Sequence, residues 1–145
     1  NILVMATPIT IREEKLHHLI EQFGGDANVM PLACPGLMDF VEAGNINSPE
    51  LYGFLRDLLE PYRENLDAVV LGCTHYPFVR KVIEQIVGDQ VEIFDGGAGT
   101  AREMRRRLAA DGLLRDATGQ KGNIEFHNSD LTKEREVLFE KLLNY

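Results

Sequence analysis

The sequence predicts an α/β fold, a mainly parallel sheet flanked by helices. Three observations predict it. Short strand-like runs recur over 2–6, 29–33, 68–72 and 91–94, with 68–72 the clearest buried one. Between them lie longer stretches whose apolar residues fall at three- and four-residue steps, the period of a helix. The connections are short and punctuated by Gly and Pro, and strand–helix alternation with short loops makes a parallel sheet.

Taken in order, the chain opens on Asn1-Ile2-Leu3-Val4-Met5-Ala6, a strand with no initiator Met and no polar lead-in, so we expect the N-terminus to be a cut. Thr7-Pro8-Ile9-Thr10 reads as a loop, because Pro8 holds Thr7 extended. Ile11, Leu16, Leu19, Ile20 and Phe23 predict a helix over 11–23, ended by Gly24-Gly25. A strand over 29–33 turns at Cys34-Pro35-Gly36, and a short helix over 37–43 stops at Gly44. Ser48-Pro49 is an N-cap followed by Pro at the first helical position, starting a helix that runs to about Glu60.

Ala68-Val69-Val70-Leu71-Gly72 is the clearest buried strand, with Cys73-Thr74-His75-Tyr76 as its loop and Pro77 opening the next helix. A fourth strand over 91–94 leads into Asp95-Gly96-Gly97-Ala98-Gly99 and a helix over 100–110, with Ala101, Met104 and Leu108 on one face. A polar loop over 116–122, a fifth strand over 123–127 and a last helix capped by Asp130 complete the pattern. No internal repeat is evident.

Composition narrows the function. With 145 residues, 44% apolar and 26% charged, the chain is one globular domain's worth or a piece of a larger protein. The formal charge of −8 argues against nucleic acid, since a polyanion needs a basic face. No apolar run reaches the ~18 residues of a membrane span. Two cysteines, Cys34 and Cys73, suit a reducing cytoplasm.

Ligands of open α/β sheets bind outside the carboxyl ends of the strands. Three such loops carry polar groups: 7–10, 34–36 and 73–76. In the last, Cys73 precedes a helix start, where free N–H groups favour a thiolate, and His75 can exchange a proton with it. Thr74 and the exposed amides can hold a carboxylate. The plain alternative is a cysteine that is only a small buried hydrophobe, and that is our reading of Cys34, which has Pro35 after it and no His nearby. Cys73-x-His75 is not a metal site, because zinc takes four ligands in pairs and His17, His18 and His127 lie far off in sequence. The glycine run 96–99 lacks a complete nucleotide fingerprint.

Val70-Leu71-Gly72-Cys73-Thr74-His75-Tyr76-Pro77 resembles the second catalytic-cysteine motif of the glutamate racemase family, cofactor-independent enzymes that supply D-glutamate for peptidoglycan. Ala6-Thr7-x-x-Thr10-Ile11 is similar to the family's Gly-Thr-x-x-Thr. Ala33-Cys34-Pro35 with Val41-Glu42-x-Gly44 is similar to its Ala-Cys-Pro…Glu-x-Gly, and Phe94-Asp95-Gly96-Gly97-Ala98 to its late Asp-Ser-Gly-Ala. The resemblance implies that Cys73 is a proton-transferring base and acid at the α-carbon of glutamate, assisted by His75 and Glu42. It also implies that Thr74, His75, Thr7 and Thr10 contact substrate, with no cofactor and no metal.

The family's first catalytic cysteine, in Ala-Cys-Asn-Thr, and its opening Asp-Ser-Gly do not occur here. Cys34 matches a different, non-catalytic position. The resemblance therefore implies a fragment. Residues 1–94 would be the second α/β domain, and 95–145 would be a segment that completes the first, missing one. Such a fragment is expected to be inactive, and its uncovered apolar surface makes a homodimer an expectation. Three alternatives stay open: a relative acting on aspartate or a hydantoin, a non-enzymatic α/β binding module, and a thiol hydrolase using Cys73 and His75.

Overall fold

A computed structural model describes residues 1–115, 119 and 122–144, and divides the chain into two compact units, Asn1–Asp95 and Gly96–Tyr145. The first unit holds four strands, β1 (Ile2–Ala6), β2 (Val29–Ala33), β3 (Ala68–Leu71) and β4 (Glu92–Asp95). They form one parallel sheet in the order β2-β1-β3-β4. The α/β fold and its parallel sheet are as the sequence predicts. β1 is central, with Met5 in register with Leu32 on one side and Leu71 on the other. A central strand covered on both faces has no polar side, and Leu3, Val4, Met5 and Ala6 are all buried.

The helices of this unit are α1 (Pro8–Arg12), α2 (Glu14–Phe23), α3 (Leu37–Glu42), α4 (Pro49–Leu59) and α5 (Arg80–Val87). α4 presents Leu51, Leu55 and Leu59 at four-residue spacing and α5 presents Val82, Ile83 and Ile86. The two helices pack together, and all six side chains are buried. The Ser48 hydroxyl accepts from the Leu51 N–H at 3.2 Å with Pro49 behind it, the cap read from the sequence.

Near the start of the chain, predicted boundaries move. Residues 7–10 are not a loop: Thr7 is an N-cap, its Oγ1 accepting from the Thr10 N–H at 3.2 Å, and Pro8 opens α1. Pro8 thus acts through its own preset φ at a first helical position, where its missing N–H costs nothing. The predicted helix over 11–23 is broken at Glu13, whose ψ of 128° is extended, giving α1 and α2.

The strand order reverses between β1 and β3, because the chain moves from β1 out to β2 and then back across to β3. In open α/β sheets that switch point is where the carboxyl ends of neighbouring strands leave a crevice. Thr7 follows β1 and Cys73 follows β3, so the two segments flank it. Gly72 lets them come close. Its N–H donates to the Met5 carbonyl at 2.8 Å, and a Cβ built there would lie 3.0 Å from that same oxygen and 3.3 Å from the Ala6 Cβ.

The second unit contains α6 (Gly97–Ala110) and α7 (Lys133–Leu143), and none of its described residues is buried. α6 starts earlier than predicted, and its Met104 is 61% exposed instead of facing a core. The predicted fifth strand is absent: described residues 122–128 form no strand. Ile124 and Phe126 alternate as a strand's would, but a strand needs a partner edge for its backbone groups. The Phe126 ring instead packs on Phe139 of α7 with centroids 5.5 Å apart. α7 is capped by Thr132, whose Oγ1 accepts from the Arg135 N–H, and Asp130 instead pairs with the Arg135 guanidinium at 3.3 Å. The polar loop expected over 116–122 lies largely outside the described residues.

Candidate active site

Cys73 lies just past the carboxyl end of β3, half-exposed, in a tight turn closed by the Tyr76 N–H donating to the Cys73 carbonyl at 3.2 Å. A short 3₁₀ segment, Tyr76–Val79, follows, and the α-helix proper begins only at Arg80. The sequence predicts helix-end stabilisation of the thiolate. That influence fades beyond the first turn, so the group beside the sulfur is an imidazole. His75 Nδ1 lies 3.8 Å from Cys73 Sγ.

The other ring nitrogen, Nε2, lies 2.7 Å from Glu42 Oε1. An ionised carboxylate only accepts, so Nε2 carries a proton and donates it to Glu42. Nδ1 is then the nitrogen facing the sulfur. In the neutral ring it accepts the thiol proton, and in the imidazolium it donates to the thiolate. Glu42, 33 residues away in the chain, ends α3. Cys73, His75 and Glu42 thus form a line from a half-exposed sulfur to an exposed carboxylate.

Of the other predicted residues only Thr74 adjoins this line, and no hydrogen bond of Thr7 or Thr10 reaches it. Thr74 is exposed between Cys73 and His75. Thr7 and Thr10 lie at the neighbouring strand end with their hydroxyls 2.9 Å apart, and Thr10 lines a concavity of about 310 Å³ with Ile9, Glu13, Lys15, Leu16 and Leu19. Among the described residues no group of three or more His, Cys, Asp or Glu side chains could hold a metal. His17 Nε2 instead lies 3.1 Å from the Ile11 carbonyl oxygen.

Cys34 is the contrasting thiol. It is 2% exposed, its Sγ donates to the Leu32 carbonyl at 3.5 Å, and burial pushes its thiol up to about 12. A thiol raised in the folded state binds its proton where the unfolded chain has lost it. Below about 8.5 both states keep the proton and stability is at its full value, and it falls as pH rises from there toward 12. Urea titrations between pH 8 and 11 are expected to show this loss, at most about 1.4 kcal/mol per pH unit from one group, and Cys34→Ala is expected to flatten the slope. An unchanged slope in that variant would count against the assignment.

No family model matches the chain. Among curated proteins it is 42% identical over 144 residues to the glutamate racemase of Clostridium perfringens strain ATCC 13124, covering 99% of this chain and 55% of that protein. The chain is a glutamate racemase homologue. It is also 35% identical to the glutamate racemase of Clostridium botulinum strain Okra over the same 99%, so the chain spans about half the length of the curated relatives it matches.

Solved glutamate racemases share the fold. The Escherichia coli enzyme, in complex with L-glutamate and activator UDP-MurNAc-ala, superposes with a TM-score of 0.78 at 26% identity, over 99% of this chain and 54% of that one. The Francisella tularensis enzyme superposes with a TM-score of 0.82 at 23% identity, over 99% and 54%. Within the racemase-like motif 70–77, sequence reasoning assigned no role to Tyr76. The structure buries it completely, and its hydroxyl donates to the Cys34 carbonyl at 3.5 Å. The signal was a tyrosine where a wholly buried ring needs no hydroxyl.

Proposed function

We propose that this chain supplies one of the two acid–base thiols of a cofactor-independent glutamate racemase. The observation that carries the reading is the Cys73–His75–Glu42 line at a sheet switch point, in a chain homologous to glutamate racemases along its length. The L-glutamate bound to the E. coli relative supports glutamate as the substrate.

In this reading Cys73, as thiolate, removes the α-proton from one face of glutamate while a thiol on the opposite face delivers one, leaving the first a thiol and the second a thiolate. The reverse reaction exchanges their roles. His75 accepts the Cys73 proton at Nδ1 when the thiolate is needed, and Glu42 stabilises the imidazolium so formed. Thr74, Thr7 and Thr10 supply hydroxyls to the substrate carboxylates, which must be neutralised as negative charge builds at the α-carbon. Residues 95–145 would complete the domain that carries the second thiol. The absence of any buried described residue after Asp95 supports this, because apolar Leu113, Ile124 and Val137 then await a covering partner. The product would serve peptidoglycan synthesis in the cytoplasm.

The test is circular dichroism of L- and D-glutamate incubated with the 145-residue chain. No inversion is expected, since one thiol serves one face. Sustained turnover would refute the two-thiol reading.

A further inference from the structure

Among the described residues, Tyr76 is the largest side chain that is wholly buried. A phenylalanine would fill the same volume without the cost of taking a hydroxyl out of water, so the place of that hydroxyl carries information. It donates to the Cys34 carbonyl, 42 residues away in sequence. That same carbonyl accepts the N–H of Leu37, the first residue of α3, and the Cys34 N–H is fixed on the Ala6 carbonyl at 2.9 Å. Gly36, at φ 85°, makes the turn between them, a left-handed conformation that a side chain would oppose.

The sheet order gives this link its meaning. β1 lies between β2 and β3, so the arm carrying Glu42 and the arm carrying His75 leave strands about 10 Å apart. The His75–Glu42 bond spans that gap at the surface, and the Tyr76–Cys34 bond spans it underneath, one residue along from His75. The two bonds close a ring through α3. Buried Leu37 and Val41 hold α3 to the core as well.

We propose that Tyr76 is a positioning residue whose hydroxyl, seated on the Cys34 carbonyl, holds Glu42 of α3 within hydrogen-bonding reach of His75. It acts through Glu42 and His75, not on the substrate, and it rests on the reading of the Cys73–His75–Glu42 line given above. Cys73, His75, Glu42, Cys34 and Tyr76 are the titratable groups that meet here.

The test is the rate of Cys73 alkylation by iodoacetamide from pH 5 to 10 in the full chain. Mass spectrometry separates Cys73 from Cys34, and thermal unfolding is followed in parallel. Glu42→Gln is expected to slow Cys73 labelling at pH 7 about tenfold, because the imidazole loses the charged acceptor that holds its Nδ1 toward the sulfur. Tyr76→Phe is expected to slow it about threefold with cooperative unfolding intact, and Tyr76→Phe with Glu42→Gln is expected to be no slower than Glu42→Gln alone. A flat Tyr76→Phe profile beside a shifted Glu42→Gln profile would overturn the proposal and leave the line standing. So would additive effects. Loss of cooperative unfolding in Tyr76→Phe would also overturn it, because the hydroxyl would then hold the fold and not the site. A Glu42→Gln profile matching the parent would sink the line itself, and this proposal with it.

Discussion

Replacing Cys73 with alanine in a racemase that contains this chain is expected to lower kcat for glutamate racemisation in both directions by about 10²–10⁴-fold. In the proposed two-thiol mechanism each direction needs one group to take the α-proton and one to return it on the opposite face, so losing either stops both. The partial reaction separates this from general damage. The thiol that remains can still remove and replace the proton on its own face. In deuterated water one enantiomer should therefore exchange its α-proton without inversion, while the other should not. Proton NMR of each enantiomer reads this directly. Racemisation that persists in Cys73→Ala, or loss of exchange for both enantiomers in a folded variant, would show that Cys73 is not one of two opposed bases. Cys34 offers the internal control, since a sulfur enclosed beneath the sheet edge with its thiol pushed up to about 12 has neither the access nor the charge for the task.

Leu55→Ala is expected to destabilise the chain by about 2–5 kcal/mol, the cost of emptying a fully packed leucine site. Leu55 is completely buried at the middle of the α4 apolar stripe, between Leu51 and Leu59, where α4 meets α5. A domain of ordinary stability holds only about 5–15 kcal/mol in total, so the midpoint of urea unfolding should fall sharply. Met104→Ala in α6 removes a comparable volume of apolar side chain from a largely exposed position and is expected to stay within about 0.5 kcal/mol. Equal losses from the two substitutions would mean that the second unit carries a core of its own.

Much of this molecule is local and could be read along the chain. Apolar runs such as Ala68-Val69-Val70-Leu71 announce strands because a parallel sheet covered on both faces leaves no position for a polar side chain. Ser48-Pro49 fixes a helix start through one hydroxyl and one preset φ, both within three residues of the atoms they act on. The motif around Cys73 was legible for the same reason: sulfur and imidazole are two residues apart, so a turn alone brings them to 3.8 Å.

What the sequence could not decide were contacts between distant segments. Residues 123–127 carry a strand's alternation, yet a strand exists only where an edge accepts its backbone, and alternation says nothing about that edge. Cys34 and Cys73 both follow strands, and only burial separates an inert thiol from an accessible one. Glu42 meets His75, and Tyr76 meets the Cys34 carbonyl, because β1 inserts between β2 and β3 and sets their ends at one rim. Sequence thus determined the chemistry each segment carries, through interactions spanning a few residues. Tertiary structure decided which chemistries meet, because strand order, and not separation along the chain, sets the distance between them.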